Sequence, residues 1–342
     1  MKSIKYIPKI KNSVIFVRID VNEPVDEFGV PQDTFRLRKS LYSIRYLVER
    51  GAKVVLLAHL GSPEGKWVKG LQLDFIAHEM SNLLGQSILK LDEIEGGVVE
   101  STILGMKAGE VILLENVRFD SREKKNSEQL ALYWSKLADY YVNDAFSVSH
   151  REHTSVSAIT QFLPSFAGIQ LMKEVHTISR VVQNPLHPAV AIVGGAKIDT
   201  KLPVINVFAK NFEYVLVGGK TAIEYQELYG RAQSSNIILP LDYRDESKFD
   251  IGPKTVRKFC EIIDKAATIV WNGPMGKIED PKYEVGTAAL VRCISKNIES
   301  FSLLGGGETV DEVYDLHKAS TIDFISTGGG AMLEFIAKDG QL

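Results

Sequence analysis

At 342 residues, with 45% hydrophobic and 24% charged positions, the chain has the length of two ordinary domains and the composition of a soluble globular protein. Its formal charge of −3 argues against general nucleic-acid binding, which usually shows a basic excess, and leaves room for a local basic pocket. Apolar runs fall short of the ~20 residues of a membrane span, and the early run at 14–17 is too short for a signal-peptide core.

The first half opens on an apolar run at 13–18 (SVIFVR), followed by a segment of helical period over 33–51. There Leu37, Leu41, Ile44 and Val48 share one helical face, Asp33 or Thr34 can cap the start, and Gly51 can end it. Further runs lie at 53–59, 111–116 and 140–144. Alternation of such runs with helical segments predicts a parallel sheet with crossover helices. A helical stretch carrying Ile169, Met172, Val175 and Ile178 then lies between FLPSFAG (162–168) and NPLHP (184–188). The second half repeats the pattern, with runs at 189–193, 214–217, 237–241, 268–271, 302–304 and 322–325. The expectation is an α/β protein of two doubly wound parallel-sheet domains, 1–165 and 166–327, joined by a hinge helix, with the tail 328–342 packing back on the first domain. Cys260 and Cys293 have no neighbouring Cys or His, which excludes a disulfide framework or CxxC motif and leaves a reduced, cytoplasmic protein as the expectation.

Ligands of open parallel sheets bind at the carboxyl ends of the strands. In the first half these ends carry Arg18, Asp20 and Asn22, then His59, Arg118, His150 and Arg151, with Arg36 in the first turn of the first helix. Spacing by two points Arg18, Asp20 and Asn22 the same way along an extended chain. Arginine forks suit carboxylate and phosphate oxygens, and so many cations at one edge are costly without an anion. In the second half five of six strand ends carry glycine instead: GGAK (194–197), GGK (218–220), NGPMG (272–276), GGGET (305–309) and STGGGA (326–331). Glycine lets a backbone approach a ligand closely, and amides at a helix start attract phosphate. Lys197 and Lys201 share a helical face if a helix begins near Ala196, and Glu308 and Asp311 are nearby carboxylates for a magnesium ion. The HREH at 150–153 lacks a third ligand at suitable spacing and reads as non-metal. His78, His176, His187 and His317 read as structural or exposed. A small-anion site in one domain and a nucleotide site in the other are joined by phosphoryl transfer, in which the protein positions groups and neutralises charge. A nicotinamide dehydrogenase is disfavoured, since no G-x-G-x-x-G follows an early strand.

Over nearly its whole length the chain resembles the phosphoglycerate kinase family. The resemblance rests on VRIDVNEP (17–24), TFRLR (34–38), AHLGSPEGK (58–66), LENVRF (114–119), YVNDAF (141–146), HREHTS (150–155), VGGAKIDTK (193–201), DIGPKT (250–255), VWNGPMG (270–276), GGGET (305–309) and STGGGA (326–331). It implies reversible transfer between ATP and 3-phosphoglycerate, with Mg²⁺, in a cytoplasmic monomer that has no nucleic-acid or membrane partner. Asp20, Asn22, Arg36, His59, Arg118 and Arg151 would bind phosphoglycerate. Arg36 and Lys197 would act on the transferring group. Gly194, Gly195, Lys197, Lys201, Gly218, Asn272, Glu279, Gly306, Gly307, Glu308 and Thr309 would bind the nucleotide, and Glu308 its metal. Ser62 stands where the family has an arginine, and Glu308 where it has an aspartate. The chain is short between Gly230 and Ile237 and between Asp242 and Asp250, around the nucleotide-base pocket.

Overall fold

A computed structural model describes residues 1–26, 30, 31 and 33–341. The chain divides into two units, Met1–Glu174 and Val175–Leu342. The dividing point lies inside a helix, α6 (Ile169–Gln183), which carries the chain from one unit into the other.

The first unit holds six parallel strands: β1 (Val14–Arg18), β2 (Lys53–Leu57), β3 (Ile88–Lys90), β4 (Val111–Leu113), β5 (Tyr140–Asn143) and β6 (Ser165–Ala167). Their order is β3-β4-β2-β1-β5-β6. Strand alternation sorts their side chains onto two buried faces, which is why the runs read as continuously apolar. Ile15, Val17, Val54 and Leu56 meet Leu37, Leu41 and Ile44 of α1 (Phe35–Val48) and Ile76 and Met80 of α2 (Asp74–Leu84). Phe16, Val55, Leu57 and Ile112 face the other way, onto Val99 and Ile103 of α3 (Gly97–Gly105). Past the short α4 (Ser121–Lys124), α5 (Glu128–Ser135) adds Leu130 and Trp134 to that second core. β3 and β6 are outer strands of three residues that the apolar runs did not announce. Half-exposed Leu89 breaks the alternation in β3, and β6 lies inside the 162–168 stretch read as a boundary.

The second unit repeats the design with β7 (Ala189–Val193), β8 (Tyr214–Val217), β9 (Ile237–Ile238), β10 (Thr268–Asn272), β11 (Phe301–Gly305) and β12 (Phe324–Ile325), ordered β12-β11-β10-β7-β8-β9. Its helices are α7 (Ile198–Asn211), α8 (Gly219–Tyr229), α9 (Pro253–Ile263), α10 (Val285–Lys296), α11 (Gly307–Asp315) and α12 (Gly329–Ala337). α12, from the expected tail, packs against α7 within this unit, and Leu342 lies outside the described residues.

Two expectations are corrected. The cysteines are not free thiols: Cys260 of α9 and Cys293 of α10 form a disulfide. These helices pack side by side and bring the two Cα atoms to 5.7 Å, a proximity that a separation of 33 residues in sequence does not reveal. Nor does a helix begin near Ala196. Lys197 takes left-handed backbone angles at the N-cap (φ 69°), so α7 starts at Ile198 and only Lys201 of the two lysines is helical.

Candidate active site

In the first unit the register of β1 sets Arg18 level with Leu57 and Asn143, so the segments leaving β1, β2 and β5 emerge side by side. Arg18 points inward and is wholly buried. Its Nε donates to Ser155 Oγ at 2.8 Å, its Nη1 to Ile19 O at 2.5 Å, and its Nη2 lies 2.8 Å from His59 Nδ1. Arg36, in the first turn of α1, reaches Asp20 Oδ2 with Nη1 at 3.3 Å, and its Nε stands 3.7 Å from Glu23 Oε2. The backbone N–H of Arg36 donates to Glu23 Oε1. Thr34, the N-cap, makes no side-chain cap bond. Asp33 does that work, accepting from the N–H groups of Thr34 and Phe35, and Glu23 satisfies the next amide. Asn22 Oδ1 accepts from Gly61 N at 2.7 Å, while Arg118 Nη1 donates to Gly61 O at 2.7 Å and to Ser62 Oγ at 3.5 Å. The turn after β2 is thus gripped from both sides.

The electrostatics are those of a site built for an anion. Burial, then Arg18, pulls the Arg118 guanidinium down to about 10, with Arg151 adding to the repulsion. Arg118 Nε is buried without a hydrogen-bond partner among the described residues. Burial, then Arg18, Arg118 and Arg36, drives His59 well below its ordinary value, and burial, then Arg118, Arg18, Arg151 and Lys124, takes His153 to about 4. The two histidines are therefore neutral near pH 7, and the positive charge here is carried mainly by arginine. Glu23 is pushed up to about 7 by burial, against the opposing pull of Arg36.

In the second unit the register sets Asn272 opposite Val193 on one side and Gly305 on the other, which brings the ends of β7, β10 and β11 level. α7, α8, α11 and α12 all start at this edge, and their N-terminal residues border a cleft of about 1010 Å³. Four helix starts on one cleft concentrate unpaired amides and positive dipole ends where phosphate would sit. Of the expected nucleotide residues, Gly195, Lys197, Lys201, Asn272, Glu279, Gly306, Gly307, Glu308 and Thr309 line it. Gly194 and Gly218 lie beneath its wall. A Cβ on Gly194 would stand 2.2 Å from Pro274 O, and one on Gly218 2.4 Å from Met275 Sδ. Lys201 is buried with its Nζ donating to Asn272 Oδ1, and burial lowers it to about 8 against the attraction of Glu308. Lys197, by contrast, is exposed.

A family model described as phosphoglycerate kinase matches residues 4–238 and 228–339. This chain belongs to the phosphoglycerate kinase family. The phosphoglycerate kinase of Moorella thermoacetica is 35% identical over 372 aligned positions, covering 96% of this chain and 94% of its own. That of Dictyoglomus turgidum is 36% identical, covering 96% and 93%. The crystal structure of phosphoglycerate kinase from Pyrococcus horikoshii superposes with a TM-score of 0.85 at 30% identity, over 99% of this chain and 96% of that one. The two pieces of the family match overlap at 228–238, where the chain is short between Gly230 and Ile237.

Within this phosphoglycerate kinase frame, the structure adds residues that sequence reading passed over. The period of two runs on past the end of β1: Ile15, Val17, Ile19 and Val21 all enter one core, which leaves Arg18, Asp20 and Asn22 alternating with them on the other side. Arg18 turns inward, Asp20 holds Arg36, and Asn22 holds Gly61. Glu23 carried no signal beyond being a charged residue after a strand. The shortened 242–250 segment delivers Lys248 and Phe249 to the cleft wall, with the Phe249 ring edge-on to Tyr283 at 5.3 Å and Lys277 Nζ 5.4 Å from its centroid. No group of three metal-ligating side chains occurs among the described residues. Glu308, exposed in the first turn of α11, would suit magnesium, which takes one or two protein carboxylates and completes its shell with water and substrate phosphate.

Proposed function

We propose that this chain moves a phosphoryl group reversibly between ATP and the carboxylate of 3-phosphoglycerate, giving ADP and 1,3-bisphosphoglycerate. The chemistry asks little of acids and bases. A carboxylate oxygen attacks the γ-phosphorus, the bond to the β,γ-bridging oxygen breaks, and no proton need leave the nucleophile because it is already ionised at neutral pH. What is needed is charge neutralisation and alignment. The single observation that carries the reading is Arg118: its guanidinium is buried with Nε left without a hydrogen-bond partner among the described residues, a cost that a bound anion would relieve.

In this proposal Asp20, Asn22, Arg36, His59, Arg118 and Arg151 bind phosphoglycerate. Arg36 and Lys197 are the catalytic residues and neutralise the charge on the transferring group. Lys201 and the glycine amides of the cleft hold the nucleotide phosphates, Asn272 orients Lys201, and Glu279 meets the ribose. Glu308 would hold Mg²⁺, which supplies charge neutralisation across the phosphates when bound. The two units would close about α6 and exclude water, which limits hydrolysis. A cytoplasmic monomer, without nucleic-acid or membrane partners, completes the proposal; no helix among the described residues is long and apolar enough to cross a membrane.

The test is steady-state turnover of purified protein with 3-phosphoglycerate and Mg-ATP, coupled to reduction of the acyl phosphate by a dehydrogenase and NADH. The expected result is NADH loss that requires both substrates and stops when magnesium is chelated. No turnover, with both ligands bound in calorimetry, would overturn the proposal.

A further inference from the structure

We propose that Arg18, Ser155 and Glu123 are positioning residues that fix the His59 ring as its Nε2–H tautomer, so that it meets phosphoglycerate only as a hydrogen-bond donor. The inference deepens the function proposed above and rests on it for the identity of the ligand.

The argument starts from donors and acceptors. A guanidinium has five N–H donors and no acceptor, and it stays protonated in proteins. At 2.8 Å from Arg18 Nη2, His59 Nδ1 must therefore be the acceptor, which means that it carries no proton. The ring is then neutral, its hydrogen is on Nε2, and that N–H is its only remaining polar group. Protonating Nδ1 would set a ring cation against a guanidinium at hydrogen-bond distance. Arg118 and Arg36 add to that penalty from the segment after β4 and from α1, and His153, in the loop after β5, would add to it only when itself protonated.

A tautomer is fixed only as well as the group that imposes it, and Arg18 is itself held. Its Nε donates to Ser155 Oγ, and that hydroxyl donates onward to Glu123 Oε1 at 2.6 Å. Ser155 N donates to Glu123 Oε2 at 2.9 Å, so both carboxylate oxygens are engaged by one residue. Tyr141 Oη donates to Ser155 O at 2.6 Å and closes the far side. Arg18, Ser155 and Glu123 are all fully buried, so water does not compete for these bonds. Glu123 is the countercharge facing Arg18, with Asp20 adding a weaker pull and Tyr141 lying alongside. His153 does not take this role, since its Nδ1 stands 3.8 Å from Glu123 Oε1, beyond a hydrogen bond. Donation thus diverges from Arg18: outward to the ring of His59, and inward to Ser155, which donates onward to Glu123.

The test is long-range ¹H–¹⁵N correlation spectroscopy on the full-length, ligand-free protein with ¹⁵N-labelled histidine, between about pH 5 and pH 8. The expected spectrum shows His59 as the Nε2–H tautomer throughout, with no titration. An Nδ1–H signature, or titration near the ordinary histidine value, would overturn the proposal. In Arg18→Met and in Ser155→Ala, His59 should become a mixture of the two neutral tautomers. KM for 3-phosphoglycerate should rise about ten-fold, the scale of one buried hydrogen bond, while KM for ATP stays put. Should Arg18→Met fail to fold, Ser155→Ala carries the test, since it removes one hydroxyl and leaves Arg18 in place. A Ser155→Ala protein that keeps a single tautomer, or that loses it with no change in KM, would overturn the proposal. The spectrum needs no kinase activity. Absence of turnover in the parent would remove the proposed function and leave the tautomer result standing, whereas turnover with a titrating His59 would do the reverse.

Discussion

Glu23→Gln should make the protein more stable at alkaline pH and leave its stability unchanged in acid. The carboxyl is buried beside Arg36, and burial raises it from an ordinary 4.5 to about 7 despite the guanidinium. A folded-state value above the unfolded one means that the native protein holds a proton that the unfolded chain has released. The resulting stability is complete below about pH 4.5 and is lost as pH rises through 7. That interval corresponds to an effect on the order of 3 kcal/mol. Glutamine stays neutral, and its amide oxygen can still accept from the Arg36 N–H. The 3.7 Å gap to Arg36 Nε leaves space for the amide nitrogen. Urea unfolding of parent and variant near pH 4 and near pH 8.5 reads the difference directly. The variant should gain up to this amount at the higher pH and almost nothing at the lower. A variant less stable than the parent at pH 8.5 would refute the reasoning, because it would mean that ionised Glu23 gains more from Arg36 than burial costs it.

Two further outcomes follow from the second unit. Lys201 loses its proton near pH 8 in the free protein, so KM for ATP should climb above that pH, and Lys201→Arg, charged throughout, should flatten the climb. An identical pH profile in the two proteins would show that Lys201 does not titrate there. Reduction of the Cys260–Cys293 bond, or Cys260→Ser with Cys293→Ser, releases a loop spanning 33 residues, which chain entropy values at roughly 3–4 kcal/mol. The midpoint of thermal unfolding should fall by about 10 °C, and a midpoint indifferent to reductant would contradict the link.

Much of the architecture was legible because buried parallel strands are continuously apolar and their helices are not, as the segments 13–18 and 33–51 illustrate. What escaped was either short or depended on distant contacts. β3 and β6 are too brief to have a period, and the proximity of Cys260 to Cys293 arises from the packing of α9 on α10. The site was legible at the level of composition, with cations at one set of strand ends and glycines at the other. It was less so at the level of direction. Period-two spacing grouped Arg18 with Asp20 and Asn22, and it could not show that Arg18 is wholly buried on Ser155. Helical spacing paired Lys197 with Lys201, whereas the left-handed turn at Lys197 leaves one exposed and the other buried on Asn272. Glu23 and Glu123 were invisible as functional groups, since their importance lies in which arginine each one faces.

The central claim is that Arg36 acts on the transferring phosphoryl group, and the measurement that tests it most directly is coupled turnover of Arg36→Ala beside the parent, with ATP binding followed by calorimetry. Loss of one preorganised charge donor should lower kcat by roughly a hundred- to a thousand-fold. ATP affinity should stay close to that of the parent, because Arg36 belongs to the first unit and the nucleotide cleft is lined wholly by the second. Turnover within a few-fold of the parent would contradict the account.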